Sequence, residues 1–291
     1  MGIRTKQLAA KRRKNADHDA SRGSATQNQP ASKERKKTLA ALGEIRLIPV
    51  PIADEINSGD PLADKLLAAL HNRRQRFESG DILVIKHKIV SKAEGRIVAL
   101  EKTHPSAESI AWAKQYNLDP RVIELALRES RSVIRRKNGV LITETQHGFL
   151  CANSGVDVSN VDGGRHAVLL PEHPDRSAAK IRSEIKKSTG ISVAVLITDS
   201  FGRPWREGLV DFCIGIAGMN ALRDDRGQKD FHGYKLHASI EAVADELAAA
   251  AGLVCGKLNR TPACIVRGFR YEPGVGRTRD LLRSAATDLF R

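Results

Sequence analysis

The run ISVAVLITDS, residues 191–200, constrains the fold more than any other stretch of this chain. Six of its first seven residues are apolar and four of them are β-branched. A short, continuous, β-branched run of this kind reads as a strand buried on both faces. It needs apolar layers on both sides of a sheet, and it ends abruptly in the charged loop DSFGRPWREG, with Asp199 and Ser200 at its carboxyl end. The chain has 291 residues, enough for one large domain or two small ones with a real core.

Other elements follow from period and end signals. A strand is expected in IRLIPV from Ile45, a helix over Pro61–Arg74, and a long buried strand in DILVIKHKIV, followed by the loop SKAEGR. Residues 106–117 and 119–130 read as helices, the first opened by Ser106, the second by Asp119 with Pro120 in its first turn. Strands are expected at 140–144, 148–152 and 166–170, and a helix from Asp175 to Lys187, stopped by Gly190. FCIGIAG and TPACIVRG read as strands, 239–255 as an Ala-rich helix and 278–290 as a closing helix. The order is mixed rather than regularly alternating, which predicts an α+β fold.

The formal net charge of +14 raises the question of nucleic acid, but its distribution answers it. Residues 1–43 hold 11 Lys/Arg and 3 Asp/Glu, leaving 37 and 31 for the other 248. The head has no hydrophobic period and is expected to be a disordered basic arm, followed by a catalytic domain over 44–291. The body is only mildly basic, which suits small polyanions better than nucleic acid. No run reaches the roughly 18 apolar residues of a membrane span, and the start MGIRTKQLAAKRRKNADHD has no signal-peptide core. A cytosolic protein without membrane contact is the expectation. Cys151, Cys213, Cys255 and Cys264 are far apart, with no Cys-x-x-Cys pair, and read as buried reduced thiols.

The usual nucleotide loops and the nucleophile elbow are missing from the sequence. Three polar clusters follow apolar strands instead. In HKIVSKAEGR, Lys92 beside Ser91, with Lys88, Glu94 and Arg96, reads either as a phosphate ligand or as a solvated loop lysine. In NSGVDVSN, Asn153, Ser154, Asp157, Ser159 and Asn160 offer hard oxygen ligands for Mg²⁺ or Mn²⁺, or form an ordinary turn. In ITDSFGRPWREG, Asp199 and Ser200 suit a metal and Arg203 and Arg206 suit phosphates or carboxylates, with Trp205 as an anchor; the alternative is a structural Asp–Arg pair.

Six blocks in order, DILVIKHKIVSKAEGRIV, VLITETQHGFLCANSGVDVSN, LLPEHPDRSAAKIR, VAVLITDSFGRPWREG, ALRDDRGQKDFHGYKL and AVADELAAAAGLVCGK, resemble the coenzyme F420-0:γ-glutamyl ligase family over about residues 45–270. The resemblance implies that family's uncommon α+β fold, a homodimer, and GTP-dependent attachment of L-glutamate to the precursor F420-0. It places the metal at Asp157, Asp199 and Ser200, as Mg²⁺ or Mn²⁺, one ion or two, with K⁺ as a further candidate. It places the nucleotide at Asn160, Lys92, His87, Lys88 and a loop from Ala53 through Asp54 and Glu55 to Ile56. Arg203 and Arg206, read from the third cluster itself, are the candidate catalytic cations. The family often has a small hydroxyl residue at position 87 and Gln-Thr before Asp211; this chain has His87, Leu209 and Val210.

The implied reaction activates a carboxylate as an acyl phosphate, which the glutamate amine then attacks; it calls for charge neutralisation by the protein. Two rivals share part of the pattern: a metal-dependent nucleotide phosphohydrolase and a basic nucleic-acid-binding protein. Because residues 1–43 lack any hydrophobic period, their deletion is expected to leave turnover and Tm unchanged. A large fall in either would make the head part of the fold or site.

Overall fold

The computed structural model describes residues 43–159 and 162–288. The basic arm expected over 1–43 therefore lies, except for Gly43, outside the described residues, as does Asn160. The elements run β1 (Arg46–Val50), α1 (Leu62–Asn72), β2 (Ile82–Lys86), α2 (His87–Ala93), β3 (Ile97–Ala99), α3 (Ala107–Tyr116), α4 (Pro120–Arg128), β4 (Ser130–Lys137), β5 (Val140–Thr145) and β6 (Leu150–Ala152). They continue with β7 (His166–Val168), α5 (Pro174–Thr189), β8 (Ala194–Arg203), β9 (Arg206–Ala217), β10 (Arg223–Asp224), β11 (Ile240–Glu241), α6 (Val243–Cys255) and β12 (Ala263–Arg267). The fold is α+β, with mixed sheets and packed helices.

The central sheet has the order β1-β12-β2-β8-β9. Only β2 and β8 pair in parallel, with Ile82 opposite Ala194 and Lys86 opposite Thr198; the other neighbours are antiparallel. Alternate residues of β8 divide between two cores. Val195 and Ile197 join Leu83, Ile85 and the apolar faces of α1 and α5; Ala194 and Leu196 join Ile82, Val84 and the inner face of α6. The two-sided apolar run thus has a layer on each side, as its pattern demands. A third core lies under β4-β5-β6, where Leu141, Val156 and Ala167 meet Ala113, Ile123 and Ala126 of α3 and α4.

End signals place several boundaries. The Ser106 side chain accepts from the Ser109 N–H, Asp119 accepts from the Arg121 N–H with Pro120 at the first position, and Gly190 closes α5 at φ 74°. Three expectations need correction. The strand expected through 81–90 stops at Lys86, and His87–Ala93 is helical, because His87, Val90 and Ser91, spaced i, i+3, i+4, are all buried on one face. The loop expected after Asp199 is a hairpin: β8 and β9 stay paired out to Arg203 and Arg206, with Phe201 stacked on Phe212 at 5.5 Å between ring centroids. The closing helix expected at 278–290 is two short 3₁₀ turns in its described part. Leu281 and Leu282 there pack against different cores, so the segment has no single apolar stripe to hold a helix. Strand β4 was not expected; its exposed arginines and lysine hide the alternation.

Gly252 lies within the Ala-rich α6, where a Cβ would come within 2.4 Å of Asp211 Oδ2. Gly252→Ala gains about 0.8–1.0 kcal/mol of helix propensity against an overpacking cost of about 1–3 kcal/mol. The expected net result is a lower Tm by scanning calorimetry; a higher Tm would show that Asp211 moves aside freely.

Candidate active site

Parallel pairing brings the carboxyl end of β2 beside Thr198 in β8, where that pairing stops. Lys86 ends one strand and the first turn of α2 carries His87 and Lys88 over the edge; Asp199 and Ser200 continue the other. Antiparallel β12 starts at the same edge, where the Lys86 N–H donates to Pro262 O at 2.8 Å, so the loop before it overhangs the site. From the third core, Asp157 reaches the site on a segment bridged to Val168 of β7.

These residues line one cleft of about 550 Å³: Glu55, His87, Lys88, Lys92, Asp157, Ser159, Asp199 and Ser200 face it, with Lys86, Leu209, Lys257, Asn259 and Arg260. An adjoining hollow of about 130 Å³ is lined by Ala53, Asp54, Glu55 and Ile56, with Lys92 and Arg260. The early loop is tied to the late one, since Ile52 N–H donates to Arg260 O at 3.2 Å and Arg260 Nη1 to Ala53 O at 3.4 Å.

The charges are closely matched. Lys88 Nζ lies 2.7 Å from Asp157 Oδ2 and donates to Ser159 Oγ at 2.8 Å. Burial alone would raise the Asp157 carboxyl, but the hydrogen bonds from Lys88 and from Ser159 outweigh it and hold the group below the usual carboxylate range. The buried His87 ring sets Nδ1 at 3.3 Å from Ser91 Oγ and Nε2 at 3.2 Å from Asp199 Oδ1, off the line of a good hydrogen bond. Asp199 Oδ1 also accepts from the Ser200 N–H at 2.7 Å. Lys92 pairs with Glu55. Cys255 lines the cleft, but burial pushes its thiol up to about 11, so it is no thiolate nucleophile at neutral pH. All four cysteines are free and buried, as expected.

Several candidates fall elsewhere. Arg203 and Arg206 face each other across the β8–β9 hairpin and do not line the cleft. Trp205 does not anchor a loop in the core; it is 81% exposed at the hairpin turn, with φ 57°. Asn153 and Ser154 belong to the turn reading: Ser154 is buried and its hydroxyl donates to Ala126 O at 2.7 Å. Arg96 is structural, bonding Glu129 at 2.6 Å and Leu170 O at 3.0 Å. Sequence reasoning missed Lys86, which closes a strand, and Lys257, Asn259 and Arg260, which sit in a loop with no recognisable phosphate motif. The only signal for that loop was a cluster of polar residues just before the late strand.

Asp157, Asp199 and Ser200 are hard oxygen donors facing one cleft, which fits Mg²⁺ or Mn²⁺. Among the described residues no group of three or more His, Cys, Asp or Glu side chains could hold a metal ion. Two carboxylates and a hydroxyl would leave most positions of a six-coordinate ion to other ligands.

The fold and cleft define a class: an α+β protein whose central sheet opens onto a cleft lined by carboxylates and several cations. The sequence pattern of F420-0:gamma-glutamyl ligase matches residues 52–268, and the chain belongs to that family. It is 40% identical over 258 residues to the coenzyme F420:L-glutamate ligase of Methanopyrus kandleri, covering 87% of this chain and 100% of that protein. It is 43% identical over 253 residues to the protein of that name from Methanothermobacter thermautotrophicus (85% and 99%) and 45% over 216 residues to that from Methanocaldococcus jannaschii (74% and 86%).

Lys88→Met should raise the Asp157 pKa in a carboxyl NMR titration. A depressed carboxyl stabilises the fold above its unfolded value, and that contribution is lost as pH falls through the folded value, so the variant should lose it at higher pH than the parent. An unmoved Asp157 titration would remove Lys88 as the cause.

Proposed function

We propose that this chain is a cytosolic ligase that attaches L-glutamate to the coenzyme F420 precursor F420-0 by an amide bond, using GTP and a divalent metal. The observation that carries the reading is the convergence of Asp157, Asp199 and Ser200 with Lys86, Lys88, Lys92, Lys257 and Arg260 on one cleft. Membership of the family supports glutamate and the coenzyme F420 precursor as substrates.

A carboxylate is a poor electrophile, so the substrate carboxylate takes the γ-phosphoryl group of GTP, giving an acyl phosphate and GDP. The glutamate amine then attacks the acyl carbon, the amide forms, and inorganic phosphate and a proton leave. Lys92, Lys257 and Arg260 surround the phosphates and offset their charge as it shifts toward the leaving oxygen. The loop from Ala53 to Ile56 and His87 form the nucleotide side; Asn160, the further residue assigned to the nucleotide, lies outside the described residues. Asp157, Asp199 and Ser200 would hold Mg²⁺ or Mn²⁺, which when bound neutralises phosphate charge. Arg203 and Arg206 stand on the hairpin, outside the cleft, where they can meet a substrate that extends beyond it. Trp205, Leu209, Phe231 and Tyr234 expose apolar surface, in keeping with a homodimer.

Asp199→Asn keeps shape but removes the charge that holds the cation. It is expected to lower turnover by about 10²–10³ and to raise the Mn²⁺ concentration needed, with little change in Tm. A structural role would instead lower Tm and spare the metal dependence; near-normal activity would remove Asp199 from the site. Competition kinetics should favour GTP over ATP, and a clear ATP preference would overturn that choice.

A further inference from the structure

Asp211 has no part in the chemistry above, yet the fold goes to some length to bury it. Its side chain is 6% exposed. It stands directly opposite Ser200 in the β8–β9 ladder, and Oδ1 accepts the Ser200 hydroxyl at 2.5 Å. Oδ2 pairs with the ammonium of Lys86, which itself lines the cleft. Room for the carboxylate is made by Gly252, the glycine within α6. A buried ion pair is weak evidence for stability, since apolar residues of similar volume often serve as well. A charged pair aimed at one cleft hydroxyl therefore points to a role at that hydroxyl.

We propose that Asp211 and Lys86 are a positioning pair that fixes the orientation of Ser200. A serine hydroxyl has one proton to donate and two lone pairs to offer. With its proton committed to Asp211, Ser200 Oγ keeps its lone pairs for the cleft and acts toward a cation only as an oxygen donor. Lys86 compensates the Asp211 charge, so the carboxylate orients Ser200 without competing for the ion. The inference rests on the proposed metal role of Asp157, Asp199 and Ser200. It adds two residues that act on the proposed ion through Ser200.

The test is Mn²⁺ binding to the full chain with GDP, read by electron paramagnetic resonance, alongside Tm. Asp211→Asn is expected to weaken Mn²⁺ binding by about 10–100-fold, the usual effect of removing a group that orients a metal ligand, and to lower Tm because it leaves the Lys86 ammonium unpaired. Ser200→Ala should weaken it comparably. The double variant should bind no more weakly than Ser200→Ala alone, because both changes act through one oxygen. Lys86→Gln combined with Asp211→Asn removes both charges, leaves no unpaired lysine, and should reproduce the Asp211→Asn loss. Unchanged Mn²⁺ affinity in Asp211→Asn, or losses that add in the double variant with Ser200→Ala, would overturn the pair's role. Asp199→Asn separates the two failures. If it abolishes Mn²⁺ binding while Asp211→Asn does not alter it, the positioning pair alone falls. If Asp199→Asn also leaves binding intact, the metal reading falls and the pair with it.

Discussion

Parallel pairing of β2 with β8 is the constraint on which the rest of the structure depends. Antiparallel neighbours would send the end of one strand to the start of the other. Here β2 ends beside Thr198 while β8 runs on in the same direction, so Lys86, His87 and Lys88 stand beside Asp199 and Ser200. The pair can lie mid-sheet only because β8 is apolar on both faces and has a core on each side. The antiparallel strands then complete the site: β9 sets Asp211 opposite Ser200, and β12 brings in the loop of Lys257 and Arg260.

The site is held by opposed charges that would be costly alone. Asp157 is met by Lys88, Asp211 by Lys86 and Lys92 by Glu55. Each partner comes from a different element, so the pairs tie β2 and α2 to β9, to the early loop and to the segment bearing Asp157. Low local dielectric strengthens such pairs but also makes an unpartnered charge expensive. The charged groups of the cleft are thus oriented in advance, which reduces the reorganisation that binding requires.

Much of this was legible in the sequence, and the exceptions have physical causes. The two-sided strand, the capped helices α3 and α4, and Asp199 at a strand's charged end were visible because apolar period and local end chemistry are short-range signals; Asp157, whose cluster also reads as a turn, was singled out by the family resemblance. The helical turn at His87 was hidden because Ile89 and Val90 favour strands, and tertiary burial of His87, Val90 and Ser91 on one face decided otherwise. The charged hairpin after Asp199 read as a loop because its exposed half carries Arg203, Arg206 and Glu207, while the register with β9 is a long-range fact. Lys257 and Arg260 were overlooked for the same reason: only the antiparallel entry of β12 brings them to the cleft. Gly252 was a local clue to Asp211 whose meaning required the neighbour it makes room for.

The most direct test of the account is mass spectrometry of F420-0 incubated with the protein, L-glutamate, GTP and Mn²⁺, with GDP and phosphate measured in the same mixture. The account predicts a coenzyme heavier by one or more glutamyl residues, one GDP and one phosphate per amide bond, and no product when glutamate or GTP is withheld. Phosphate release from GTP that does not depend on glutamate, with no gain in coenzyme mass, would contradict it and leave a nucleotide phosphohydrolase in its place.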